Sequence, residues 1–294
     1  MKIAICFSGL LRNFNKIYPY IKKNFIDPNQ EHELHIFACT SKFDERKDRF
    51  KAVKKQVLDI NKIENILKNN FGDLLKDFYI YDDQKVIKQI KKEYCKRNDR
   101  NYSRFHKIYK VLQLKSEYEQ KQNFKYDVVV FHRFDVIFTD WNTANLYYEN
   151  KNIEEKRVIG NLVQKNNINV GVENHGCCCI KNYPPINDVN TIIKLDYKLN
   201  DNQIICYEDY FIGHVFQDFF ISNSNVSNKF MEFYDKLKNA DYLNINLINN
   251  SEINKSFQSY EKHEQWYKYN NHLSNDIKNT EQSIEYQVKY FLIN

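Results

Sequence analysis

Apolar and polar positions change rhythm repeatedly along the first half of the chain. Lys2 to Phe7 is a short apolar run that stops at Ser8-Gly9, which predicts a buried first strand. Asn13 to Phe25 carries Phe14, Ile17, Ile21 and Phe25 at helical spacing, with Pro19 early in the segment. Glu33 to Thr40 predicts a second strand, and the Lys-rich amphipathic stretch Glu45 to Asn70 predicts two helices. A third strand is expected at Phe78 to Tyr81, closed by Asp82-Asp83, with a helix from Gln84 to Cys95. Arg104 to Gln122 has the strongest helical pattern, its stripe formed by Ile108, Val111, Leu112 and Leu114. Tyr126 to His132 is the run richest in β-branched residues and predicts a central parallel strand. It stops at Arg133-Phe134-Asp135, after which Val136 to Phe138 resumes briefly. This alternation of strands and helices predicts a Rossmann-like, doubly wound α/β half.

The second half is more mixed. Val158 to Val163, Ile168 to Val172 and Cys177 to Ile180 predict short strands, while Tyr207 to Phe216 fits a helix or an irregular turn. Phe219 to Ser222 predicts a strand and Val226 to Leu237 a helix. Asn244 to Asn254 has the composition of a loop or boundary. Beyond Ser251 the spacing is helical again, ending in an expected helix over Thr280 to Leu292. The expected organisation is one domain over 1–243 and a C-terminal helical extension over 244–294 packed on it.

Composition narrows the function. With 294 residues, 42% of them hydrophobic, the chain can build the core of a large α/β domain. The net charge of +6 is carried by lysines interleaved with acidic residues rather than gathered in one basic stripe. That pattern argues against a nucleic-acid partner, although it would suit a small anionic substrate. The cysteines number seven, and Cys6 and Cys39 sit inside apolar runs. The first apolar run is too short for a signal peptide, and no run approaches a membrane span. A cytoplasmic protein with reduced thiols and no transmembrane segment is expected, with peripheral membrane contact left open.

Ligands of open parallel sheets bind beyond the carboxyl ends of the strands. Here those ends carry Ser8-Gly9 to Arg12, Thr40-Ser41, Asp82-Asp83 and His132 to Asp135. Asp135, after the most apolar strand, could coordinate Mg²⁺ or Mn²⁺ alongside substrate phosphates. Equally, it could pair with Arg133 or start a turn. Gly9 would let backbone approach a ligand and Arg12 could fork onto phosphate oxygens. A plain strand-to-helix turn with a surface arginine is the alternative there. Neither G-x-G-x-x-G nor a P-loop is present. Lys110 could reach a phosphate from the helix before the central strand, or stand in solvent. The run His175-Gly176-Cys177-Cys178-Cys179 makes a poor zinc site, because adjacent residues of a strand face opposite ways; a buried strand suits it better.

Four segments in order carry a resemblance. KIAICFSGLLRNF (2–14) resembles the "SGQLR" opening of GT-A-type glycosyltransferase-like proteins from bacterial surface-polysaccharide loci and large DNA viruses. YDVVVFHRFDVIF (126–138) is similar to their "YDVVIRxRFDLxF" strand, and KIYKVLQLK (107–115) with Tyr118 and Glu119 to the helix before it. QDFFISNS (217–224) with Phe230, Met231 and Tyr234 resembles their "DxFxxGxxxxM" segment. The resemblance implies a GT-A fold, a nucleotide-sugar donor, a glycan or other hydroxyl acceptor and, commonly, Mn²⁺ or Mg²⁺. It matches Asp135 to the metal-binding carboxylate of a degenerate D-x-D motif, with Arg133 in place of the first Asp and Leu10 in place of the usual Gln.

An inverting transferase of this type needs a carboxylate base for the acceptor hydroxyl. Asp218 is the candidate and Asp209 the runner-up; a strand-edge or capping role is the alternative for Asp218, and a retaining enzyme needs neither. His263, His272 and Glu285 are offered as late residues for a metal or acceptor site. The expected donor site is thus Ser8, Gly9, Arg12, Thr40, Lys110 and Arg133, with Asp135 on the metal and Asp218 as base. Competing readings are an inactive nucleotide-binding or interaction module and a MobA-like nucleotidyltransferase. The latter would want a Gly-rich first loop bearing a Lys, which Ser8 to Arg12 does not provide.

Overall fold

The computed structural model describes residues 1–12, 14–44, 56–82, 85, 99–140, 158–164, 167–173, 186–187, 192–199, 201, 204–206 and 219–239. In chain order, β1 (Lys2–Gly9) leads into α1 (Phe14–Ile21) and then β2 (Glu33–Ser41). A short ribbon of β3 (Phe43–Asp44) and β4 (Gln56–Val57) precedes α2 (Ile60–Phe71) and β5 (Leu75–Tyr81). The long helix α3 (Asp99–Gln122) feeds β6 (Val128–Arg133), which turns into β7 (Val136–Asp140). Then come β8 (Val158–Gln164), β9 (Asn167–Glu173), β10 (Ile204–Cys206), β11 (Phe219–Ser222) and α4 (Ser224–Asn239).

A six-stranded sheet in the order β10-β11-β6-β1-β2-β5 forms the centre. β6, β1, β2 and β5 are parallel, whereas β11 runs against β6 and β10 against β11. The sheet is therefore mixed and mostly parallel, as expected of a Rossmann-like α/β fold. Strand order reverses between β1 and β6: from β1 the chain builds outward through β2 to β5, then returns through α3 to place β6 on the other side. This is the topological switch point, where an α/β sheet opens a crevice at its carboxyl edge.

Helices on both faces explain the unbroken apolar runs. Ile3, Ile5 and Phe7 of β1 face one core, shared with Phe14 and Ile17 of α1 and Ile63 and Leu67 of α2. Ala4 and Cys6 face a second, with Ile108, Val111 and Leu112 of α3 and Val226 and Phe230 of α4. Strands buried on both sides need no alternation of polar residues.

Several boundaries differ from expectation for physical reasons. The helix expected through Phe25 changes pitch after α1: Lys22–Ile26 is a π turn and Asp27–Asn29 a 3-10 turn. The wider turn buries Asn24, Phe25 and Ile26 in succession, more than the stripe of a regular amphipathic helix covers. One helix, α2, occupies the end of the stretch where two were expected; residues 45–55 lie outside the described residues. Asp59 caps α2, its side chain accepting from the Asn61 amide at 2.9 Å, and Gly72 ends it at φ 54°. The strands expected at Val158 to Val163 and Ile168 to Val172 are β8 and β9, joined to β7 in a separate antiparallel sheet. The elements expected at Cys177 to Ile180, Tyr207 to Phe216 and across 244–294 lie outside the described residues, as does Gln84 to Cys95 except Lys85. Among the described residues no helix is long and apolar enough to cross a membrane.

Candidate functional site at the β1–β6 switch point

β1 and β6 end side by side, with Ser8 opposite Arg133. Beyond Ser8 the chain turns sharply, through Gly9 at φ 130° and Arg12 at φ 36°. A Cβ at Gly9 would meet nothing within 4 Å, so this position requires glycine for its backbone conformation and not for close approach. Arg12 holds a left-handed conformation without glycine's freedom, at a cost of roughly 1–2 kcal/mol. The Phe14 amide, donating to the Leu11 carbonyl at 2.6 Å, closes the turn.

That conformation delivers the Arg12 guanidinium to Asp135, Nη1 donating to Oδ2 at 2.7 Å. Arg133 clasps the same carboxylate with two bonds, Nε to Oδ1 and Nη2 to Oδ2, both 2.8 Å. Phe134 fixes the turn between them by packing against Phe7 and Phe14, ring centroids at 5.5 and 5.0 Å. Asp135 is 2% exposed and the Arg12 side chain 19%. Two guanidinium groups therefore share one buried carboxylate. Forked, charge-assisted bonds of this kind fix orientation as well as energy. The Arg12 Nε is buried and has no hydrogen-bond partner among the described residues.

Neighbouring groups complete the rim. Thr40, the last but one residue of β2, lies beside Gly9 and is fully buried, its Oγ1 without a hydrogen-bond partner among the described residues. Ser8 is buried as well. His132 points to the α1 face of the sheet, where the rings of Phe7, Phe25, Phe138 and Phe219 surround it. Burial holds its pKa down to about 4, against the opposing pull of the Arg133 carbonyl and Asp135, so the imidazole is neutral at physiological pH. With its proton on Nδ1 it donates to the Arg133 carbonyl, and Nε2 has no partner among the described residues.

No protein-family model and no curated protein matches the chain, so the reading of this rim rests on its own geometry.

The structure brings Ser8, Gly9, Arg12, Thr40, Arg133 and Asp135 to one rim and leaves Lys110 apart from the cluster. Lys110 Nζ donates to Gln113 at 2.8 Å and lies 5.7 Å from the Tyr79 ring, on the β5 side of the sheet. Asp82, at the end of β5, is paired with Lys42 at 2.6 Å. Asp218 and Asp209 lie outside the described residues, as do Cys177, Cys178, Cys179, His263, His272 and Glu285.

Fit to Mn²⁺ or Mg²⁺ is poor at this point. Such ions take oxygen ligands, several at once, and want an accumulation of negative charge. Both Asp135 oxygens already accept guanidinium hydrogens, and two cations flank the position. Among the described residues the group able to hold a metal is Glu31, His32 and Asp196, whose ligand atoms lie within 4.8 Å of one another. It sits before the start of β2, at the opposite rim, and Glu31 is already paired with Lys194 at 2.7 Å.

Sequence reasoning missed a polar knot on the other face. Lys115 of α3 is fully buried and donates to Glu119 (3.1 Å), Ser224 (2.9 Å), Ser227 (3.0 Å) and Asn228 (2.8 Å). Glu119 also accepts from the Tyr126 amide at 2.9 Å. Burial lowers the Lys115 pKa, opposed by Glu119. Two of the segments carrying the family resemblance, around Lys115 and Ser224, thus meet inside the protein. The available signal was an i, i+4 Lys–Glu pair on a helix beside an apolar stripe.

Proposed function

We propose that the chain is a nucleotide-sugar-dependent glycosyltransferase of GT-A type, with the donor diphosphate received at the β1–β6 switch point. One observation carries the reading: the Arg12–Asp135–Arg133 cluster, two guanidinium groups on one carboxylate, at the carboxyl ends of β1 and β6 in a mostly parallel sheet. In the reaction an acceptor hydroxyl oxygen bonds to the sugar anomeric carbon while the bond from that carbon to the diphosphate oxygen breaks. The hydroxyl proton passes to a base, and negative charge grows on the leaving diphosphate. Preorganised guanidinium groups at that charge stabilise the transition state more than the ground state. Asp218 is the proposed base; it immediately precedes Phe219, the β11 residue paired with His132. Glycans and other hydroxyl compounds are the acceptor class. The buried thiols of Cys6 and Cys39 fit a cytoplasmic setting.

Thermal melting and calorimetry with UDP-, GDP- and CMP-linked sugars test this reading. Stabilisation by a diphosphate donor, followed by slow donor hydrolysis or transfer, supports it, and indifference to every nucleotide overturns it. Saturation of Asp135 by two arginines favours a second reading, a nucleotide-binding module without turnover. Tight donor binding with no hydrolysis and no transfer across an acceptor panel would select that alternative.

A further inference from the structure

We propose that the Arg12 guanidinium, held on Asp135, takes the place of a divalent cation, so that the site binds a nucleoside diphosphate without metal. The inference rests on the nucleotide-sugar reading and specifies how the charge of that ligand is met. A diphosphate brings negative charge to be neutralised, by a dication held on carboxylates or by fixed cationic side chains. Here the carboxylate at the strand end is already spent. A dication reaching Asp135 would have to displace hydrogen bonds of 2.7 and 2.8 Å and settle beside two positive groups.

The cluster is instead built to present cations. Asp135 aligns both planes from within, while Arg12 reaches the surface with 19% of its side chain exposed. Its Nε lacks a hydrogen-bond partner among the described residues, and its backbone is held left-handed to place it there. Asp135 is on this view a positioning residue for Arg12, the phosphate-binding arginine. Guanidinium is suited to the task because it remains charged, forks onto phosphate oxygens and sheds water more readily than ammonium.

The test is calorimetric titration of the full chain with UDP, GDP and CDP, once in EDTA and once with Mn²⁺. The expected result is a dissociation constant that agrees between the two conditions within about twofold. Arg12→Gln should weaken binding about tenfold or more in both, and Arg12→Lys should recover part of the loss. Circular dichroism melts of each variant separate lost binding from lost fold. Mn²⁺ alone should leave the wild-type melting temperature unchanged. Binding that appears only with Mn²⁺, or survives Arg12→Gln in a folded variant, overturns the metal-free inference and leaves the nucleotide reading standing. Failure of all three nucleotides in both conditions overturns the nucleotide reading itself.

Discussion

Asp135 and its two arginines are not equivalent targets for substitution. Replacing Asp135 by Ala removes the carboxylate on which the buried Arg133 and the partly exposed Arg12 are both held, which costs about 3–5 kcal/mol of stability. Arg12→Gln removes a partly exposed partner and leaves Arg133 in place, so its cost should be about 1 kcal/mol. Urea denaturation of the two variants should therefore rank Asp135→Ala far below Arg12→Gln. Gly9→Ala meets no steric obstacle but forces a side chain onto φ 130°, with an expected loss of about 1–2 kcal/mol in the same assay. His132 sets a pH dependence. Its pKa is near 4 in the fold against 6.5 when exposed, so between those values the unfolded chain binds the extra proton. Stability then rises with pH across that window and falls on acidification, by on the order of 3 kcal/mol from this residue. His35, also held down by burial, acts in the same direction. The His132 share is the part of the slope that disappears in His132→Phe when melts are compared between pH 6.5 and 4.5.

Among the elements, legibility followed burial. β1, β2, β6 and β11 declared themselves because both faces of the sheet are covered, leaving runs such as Val128 to Phe131 without polar interruption. β5 was read as starting at Phe78, yet it begins at Leu75. As an edge strand it exposes Lys76 and Asp77, and a polar edge leaves no burial signature. The pitch change after α1 was invisible for a related reason, since spacing rules assume the regular turn that the Lys22–Ile26 segment departs from. At the site, the positions of Arg12, Arg133 and Asp135 after strand ends were readable, but the double clasp depends on the left-handed Arg12 backbone, which no pattern of residue types encodes. The Lys115–Glu119 knot joins α3, α4 and the entry to β6. Lys115→Met alone should be strongly destabilising because it takes the buried ammonium away from the buried Glu119 carboxyl group. Adding Glu119→Gln, which keeps an acceptor for the Tyr126 amide, should return part of that loss. A double-mutant cycle should give a coupling of about 1–3 kcal/mol between the two.

For the whole molecule, the sheet predicts a gradient of protection. β1 lies between two parallel partners and under helices on both faces, whereas β5 and β10 are edges. Hydrogen exchange should be slowest at Ile3 to Phe7 and Val128 to Phe131 and faster along Leu75 to Tyr81. Equal rates across the sheet would contradict this picture of where stability is concentrated. The reversal of strand order has a temporal consequence as well. Arg12 meets Asp135 across 123 positions of chain, and the contact requires β6 to dock on β1. Contacts of such sequence separation form late, after local helices and neighbouring β–α–β pairs. A nascent chain that has not yet delivered residue 135 carries Arg12 without its carboxylate, and on refolding the Arg12–Asp135 pair should form after the helices. The two halves of the cluster thus come together only when β6 has docked on β1, the last parallel pairing among the described residues.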